Sequence, residues 1–234
     1  GPYNLKIHSM GLVDENNKVN FYEGKVRVVD TVGNEHCKYA ASDYQDYIAE
    51  RVEPWSYLKF PYLKKIGWKG FIEGQDSGVY QATPLSRLNA ADGMATPLAQ
   101  EAYEKMFKTF NQKPVHATLA MHWARLVELL YSAERMLELI TDPDITGKDL
   151  RAEPKKIVGE GVGIVEAQRG TLTHHYWTDS KGLVTKANIV VGTTNNNAAI
   201  CMSLKKAAQG VIQKGVTVDQ GILNMIEMAF RAYD

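Results

Sequence analysis

Between Val115 and Ile140 the apolar residues Leu119, Trp123, Leu126, Leu130, Ala133, Leu137 and Ile140 recur at steps of four and three. That period traces one continuous face and predicts a long helix packed in a bundle. Asp142-Pro143 stops it, since proline cannot donate to the helical ladder. A second strong signal has a different period. Leu172 to Trp177 reads as a strand, Asp179-Ser180-Lys181-Gly182 as a turn and Leu183 to Val191 as the returning strand. A chain that carries both combines helices and strands.

The remaining segments fit around these two. Over residues 10–39, Val19 and Phe21 face Val26 and Val28 across Tyr22-Glu23-Gly24-Lys25, a hairpin-like punctuation, and Val32-Gly33-Asn34 marks a second turn. Ser42-Asp43 is placed to cap a short helix running to about Val52, ended by Glu53-Pro54. Residues 54–98 read as irregular and aromatic-rich, with Trp55, Tyr57, Phe60, Tyr62, Trp68, Phe71 and Tyr80 as buried or interface anchors. Asp142 to Gly161, with Pro143 and Pro154, reads as a connector. Helices are expected from about Asn197 to Gln213 and from Asp219 to Tyr233. The organisation expected is a β-rich part over 1–53, an irregular part over 54–98, and a helical core over 99–234 that carries the hairpin 171–192.

Charge excludes some functions. Lysine plus arginine equals aspartate plus glutamate at 27 each, so nothing favours nucleic acid or an anionic membrane surface. No apolar stretch suits a bilayer span, and Gly1-Pro2-Tyr3-Asn4-Leu5-Lys6 does not read as a signal peptide. The two cysteines, Cys37 and Cys201, stand far apart, which fits a reducing compartment, with the cytoplasm as the default.

Few residues suggest chemistry by pattern alone. His174 and His175 are adjacent on a strand and so point to opposite faces, and His116 and His122 are spaced by six where a helical metal pair prefers four. In Glu166-Ala167-Gln168-Arg169-Gly170, an arginine precedes a glycine at the entry to a strand. It either presents a guanidinium to a cavity or forms a structural ion pair. Val191 to Asn197, at a strand end and a helix start, offers either an anion site or ordinary capping.

These same two stretches carry a resemblance. EAQRGTLTHHY (Glu166–Tyr176) resembles the EAPRG-TL-HHY block of nickel–iron hydrogenase large subunits, and GLVTKANIVVGTTNNNAA resembles the strand and cyanide-neighbouring loop of that family. MGLVDENNKVNFYEGKVRVVD, EPWSYLKFPYLKKIGWKG, PLSRLNAADGMATPLAQ, HWARLVELLYSAERMLEL and LNMIEMAFRAYD match in order as well. The blocks look most like the cytoplasmic methyl-viologen-reducing group, which feeds electrons to heterodisulfide reductase.

The resemblance implies that residues 1–234 are a C-terminal-half segment of a hydrogenase large subunit, with a fold that is α+β and mainly α, built on a central helix bundle with peripheral β-hairpins. It also implies reversible splitting of H2 at a Ni–Fe centre bearing CO and cyanide. The partner it implies is an iron–sulfur small subunit, with electron-accepting iron–sulfur or flavin subunits beyond it. Arg169 matches the arginine above the open coordination site, Asp234 the acidic residue paired near it, Thr193 the hydroxyl beside a cyanide, and Leu172 an apolar residue of the diatomic-ligand pocket. Glu166 and Gly170 match structural positions, and Gln168 stands where the family usually has proline. The family's four cysteine ligands, from an N-terminal CxxC and a C-terminal DPCxxCxxH, have no match in Cys37 or Cys201. The expectation is that this chain alone holds no nickel and is inactive. The alternative is a metal-free scaffold or electron-transfer component, like the quinone-side subunit of respiratory complex I.

Overall fold

The computed structural model describes residues 1–153, 156–215 and 217–234 of the chain; Pro154 of the expected connector lies outside them. β1 (His8–Val13) pairs antiparallel with β2 (Lys25–Val29). β2 pairs with β3 (Glu35–Tyr39) across the expected turn, where Gly33 takes φ +94°. The first connection differs from the expected tight turn at 22–25. The strand before β2 is His8–Val13, and Val19 only bridges Val13. Asp14 accepts from the amides of Asn16 and Lys18, and Asn20 from those of Tyr22 and Glu23. Such side-chain bonds hold the backbone in turns and keep it out of a ladder.

Ser42-Asp43 opens only a 3-10 turn and a single helical turn, α1 (Tyr44–Tyr47). The helix expected to reach Val52 is instead a strand, β4 (Ile48–Val52), paired with β5 (Lys59–Leu63). Ile48 is β-branched, favours extended backbone, and is buried opposite Leu63. The stretch 54–98 is also more regular than expected. It holds β5, then β6 (Tyr80–Gln81), which adds in parallel to β1 and completes the order β3-β2-β1-β6. Next comes α2 (Pro84–Ala90), capped by Thr83 Oγ1 accepting from the Ser86 amide, and then the start of α3 (Pro97–Phe110). Its aromatics divide. Phe60 is buried under Trp68 and Phe71, whereas Trp55 and Tyr57 are exposed.

The long helix is α4 (Ala120–Ile140), with two departures from the reading above. It starts later, because the Thr118 amide donates to the Tyr3 carbonyl and the His116 carbonyl accepts from the Leu5 amide, which bridges Ala117 to Asn4 and keeps residues 115–117 out of the helix. Its buried face is Ala120, Met121, Ala124, Val127, Glu128 and Tyr131, while Leu126, Leu137 and Ile140 are exposed. Small residues let α4 approach α2 and α3 closely, so the buried stripe is not the one with the largest side chains.

β7 (Glu160–Ala167), β8 (Gly170–Thr178) and β9 (Val184–Val190) form an antiparallel meander. β7 begins inside the expected connector. α5 (Gly192–Val211) starts at Gly192 rather than Asn197 and packs against β5, β6, β8 and α6 (Gln220–Arg231), the last capped by Asp219. Leu5, Ile7, Leu85, Leu88, Met106 and Met121 belong to the core among the helices, and Met10, Val28, Tyr39 and Leu63 to a second one under the first sheet. Among the described residues no helix is long and apolar enough to cross a membrane.

The first sheet carries a pH dependence. His8 is 1% exposed in β1 with His36 edge-on at 5.2 Å. Burial, then the His36 charge, push its pKa from 6.5 down to about 4, with Asp30 pulling the other way. Burial also lowers His36 and His116. The unfolded chain therefore binds protons that the fold refuses between pH 6.5 and 4, so stability is full above that window and falls on acidification through it. His8 alone is expected to remove roughly 3 kcal/mol by pH 4. Urea midpoints across this range check it; His8→Gln should flatten the slope, and an unchanged slope would count against the assignment.

Candidate functional site

The two-residue turn Gln168-Arg169 joins β7 to β8, and the segment Glu166–Gly170 around it lies against the start of α5. Gly170 holds φ +153°, and a Cβ there would stand 1.9 Å from the Ala82 carbonyl oxygen and 3.1 Å from that of Gly192. Only a glycine lets three backbone segments meet this closely. The contact brings Arg169 beside Thr193, in the first turn of α5. The Arg169 Nε then pairs with the Asp234 carboxylate, just past the end of α6, and Thr193 Oγ1 donates to the other Asp234 oxygen at 3.2 Å. Three of the four residues singled out above thus form one set. Leu172 does not join it by any hydrogen bond. It stands half-buried on β8 opposite Val165, on the face away from buried Thr171 and Thr173.

The Arg169 side chain is 49% exposed and that of Asp234 30%. An ion pair this open is worth about 0–1 kcal/mol, so its consequence is orientation rather than stability. Arg125 of α4 approaches from the far side and donates to the Ala232 carbonyl at 3.0 Å.

The run Asn195–Asn197 clamps neighbouring backbone. Asn195 accepts from the Tyr80 hydroxyl and donates to the Thr171 carbonyl at 2.7 Å. Asn196 accepts from the Ala82 amide at 2.8 Å and donates to the carbonyls of Ala82, Arg169 and Gly192. Asn197 donates to the Lys59 carbonyl at 2.9 Å. Buried amides used this way tie α5 to β5, β6 and β8.

Beneath the turn lies a charged cluster that the periodicity does not reveal. Arg87 of α2 binds Glu128 of α4 through Nε (2.5 Å) and Nη2 (2.7 Å), and Glu166 through Nη1 (2.9 Å). It also donates to the carbonyls of Ala167 (2.9 Å) and Gln168 (3.5 Å), so all five guanidinium protons have acceptors. Glu166 Oε1 accepts from the Leu12 amide at 2.7 Å and the Thr171 hydroxyl at 3.0 Å. Side-chain exposures are 1% for Arg87, 7% for Glu128 and 1% for Glu166. Burial works against the Arg87 charge, but the two carboxylates outweigh it and raise its pKa; burial likewise pushes the Glu166 carboxyl up against the pull of Arg87. A cavity of about 270 Å³ opens on this cluster, lined by Phe21, Arg125, Leu129 and Gln168 among others. Glu128 lies four residues past Ala124 and seven past Met121, so it shares the face that α4 buries, a face that the apolar period over 119–140 does not mark.

The histidines serve the fold. His175 engages the Tyr44 hydroxyl (3.0 Å) through Nδ1 and Glu160 (2.8 Å) through Nε2, while His174 meets the Tyr176 hydroxyl at 2.8 Å. His116 binds the Thr31 carbonyl, and His122 is exposed beside Arg125. Among the described residues no three His, Cys, Asp or Glu side chains gather to hold a metal ion. Cys37 and Cys201 are free and half-buried, and burial raises both thiols, Cys37 to about 11, the reverse of what a thiolate ligand needs. A soft donor set for Ni–Fe is therefore not made by these residues. What the chain presents is the Arg169–Asp234–Thr193 set.

Comparison with known proteins points to one family. A family profile described as nickel-dependent hydrogenase matches residues 5–220. The iron-sulfur subunit of an F420-non-reducing hydrogenase from Archaeoglobus profundus is 51% identical over 99% of this chain and 48% of its own length. The beta subunit of the NAD-reducing hydrogenase HoxS from Cupriavidus necator is 40% identical over 97% of this chain and 45% of its own length. The chain thus spans about half the length of these relatives. Among solved structures, a NAD+-reducing [NiFe]-hydrogenase in the H2-reduced state superimposes with a TM-score of 0.89 at 38% identity, over 98% of this chain and 49% of the other.

Proposed function

Because the chain belongs to the nickel-dependent hydrogenase family, we propose that it forms one wall of the active site of an H2-converting oxidoreductase. The observation that carries this reading is the joining of Arg169, Asp234 and Thr193, from three separate elements, on one carboxylate. The Ni–Fe centre, when bound, supplies the redox and Lewis-acid chemistry of H2 splitting, with its thiolate ligands coming from sequence outside this chain. The chain's own residues hold charge and protons beside it. Arg169 offers a guanidinium that orients and stabilises developing negative charge rather than acting as a free base. Asp234 fixes that guanidinium through their ion pair. Thr193 has one hydroxyl proton, so its bond to Asp234 and a bond to a cyanide nitrogen are alternatives. Leu172, half-buried on β8, is assigned apolar lining of the diatomic-ligand pocket by the family resemblance alone.

Electrons leaving such a site need an iron–sulfur small subunit. The higher identity to the F420-non-reducing relative than to the NAD-reducing one supports an acceptor route of the heterodisulfide-reductase-linked kind. In the complete complex, Arg169→Lys is expected to lower H2-dependent dye reduction on the order of 10- to 100-fold with nickel content unchanged, because an ammonium cannot reproduce the fork geometry. Full turnover by that variant would sink the reading.

A further inference from the structure

We infer that Arg87 is a positioning residue for Arg169, an inference that rests on the hydrogenase reading above. Arg87 does not reach the Arg169–Asp234 pair. It holds the backbone that carries it, donating to the carbonyls of Ala167 and Gln168, the two residues before Arg169. Asn196 holds the carbonyl of Arg169 itself at 3.2 Å, and Gly170 is seated against Ala82. Ala167 is held both by Arg87 and by its ladder pairing with Gly170, whereas among the described residues the Gln168 carbonyl has Arg87 as its side-chain partner. Nothing inside the turn could replace that clamp, since Gln168 has no ring to fix its φ. Arg87 is in turn immobilised by the two-pronged bond to Glu128 and the bond to Glu166. Arg169 is long and half exposed, so the placement of its guanidinium is set by its Cα at one end and by Asp234 at the other. An error there of about 1 Å costs on the order of 100-fold in rate.

A double-mutant cycle in the assembled, metal-loaded hydrogenase tests this, using Arg87→Lys, Arg169→Lys and the pair, with kcat and KM for H2 measured separately. Arg87→Lys is expected to lower kcat on the order of 10-fold at unchanged KM and nickel content. The pair is expected to be no slower than Arg169→Lys alone, because a misplaced group that has already been removed cannot be lost again. Independently of activity, amide hydrogen exchange over residues 164–171 should rise in Arg87→Lys. Losses that multiply in the pair, or unchanged kcat, would overturn the positioning role. Full turnover by Arg169→Lys would instead remove the placement of Arg169 at the reacting centre, while faster exchange would still report the clamp. Should Arg87→Lys not assemble, Glu128→Gln, which loosens Arg87 without opening a cavity, enters the same cycle under the same criteria.

Discussion

Replacing Gly170 by alanine is expected to cost about 4 kcal/mol of stability, adding the strain of a disfavoured backbone conformation to that of an overpacked contact. At φ +153° an L residue is strained whatever surrounds it, and here the new Cβ would fall 1.9 Å from the Ala82 carbonyl oxygen. Neither neighbour can yield cheaply. The Ala82 amide and carbonyl are both bonded to the Asn196 carboxamide, and Gly192 begins α5. Relief would therefore push β8 away from α5 and break the asparagine clamps in sequence. Denaturation followed by tryptophan fluorescence should show the loss. Gly161→Ala, in the same sheet and with open space around it, is the control expected to change little. Equal effects of the two would refute the close-approach argument.

How much of this fold can be read from its sequence depends on range. The β8–β9 hairpin, the Gly33 turn and the Asp219 cap are legible because alternation, turn chemistry and capping are local properties of a few residues. β4 is not, because Ile48–Val52 is a strand by virtue of its pairing with Lys59–Leu63, while a capping signal at Ser42-Asp43 points to helix. α4 is legible but its buried face is not. Periodicity favours the bulkiest stripe, whereas Ala120 and Ala124 set the close packing. The meeting of Arg169, Thr193 and Asp234 is accessible only through resemblance, since no spacing rule links a β-turn, a helix start and the end of another helix. Arg87 and Glu128 escape because a charged residue in a helical stretch is by default assigned to solvent.

Those two buried charges set up the other large effect. Arg87→Met is expected to destabilise the protein by about 4 kcal/mol, the usual cost of removing one partner from a buried ion pair. The loss comes less from the missing bonds than from what remains. Glu128 and Glu166 would keep negative charges at side-chain exposures of 7% and 1% with no cation between them. The sign with pH follows. Glu166 already has a folded-state pKa above its ordinary 4.5, raised by burial and restrained by Arg87. A carboxyl of that kind favours the fold below its unfolded pKa, and the contribution is lost as pH rises through the folded value. Removing Arg87 removes the restraint and raises the folded value further, so the deficit of the variant against its parent should widen from pH 5 to pH 8. Because both proteins carry His8, the acid loss that it causes cancels in the comparison. Urea midpoints of variant and parent at the two pH values measure the difference. A deficit independent of pH would mean that packing, not charge, is what Arg87 contributes. Converting Glu128 and Glu166 to Gln in the Arg87→Met background should restore much of the loss, since the cluster would then hold no charge to desolvate. Restored stability without restored turnover would separate what the cluster does for the fold from what it does for Arg169.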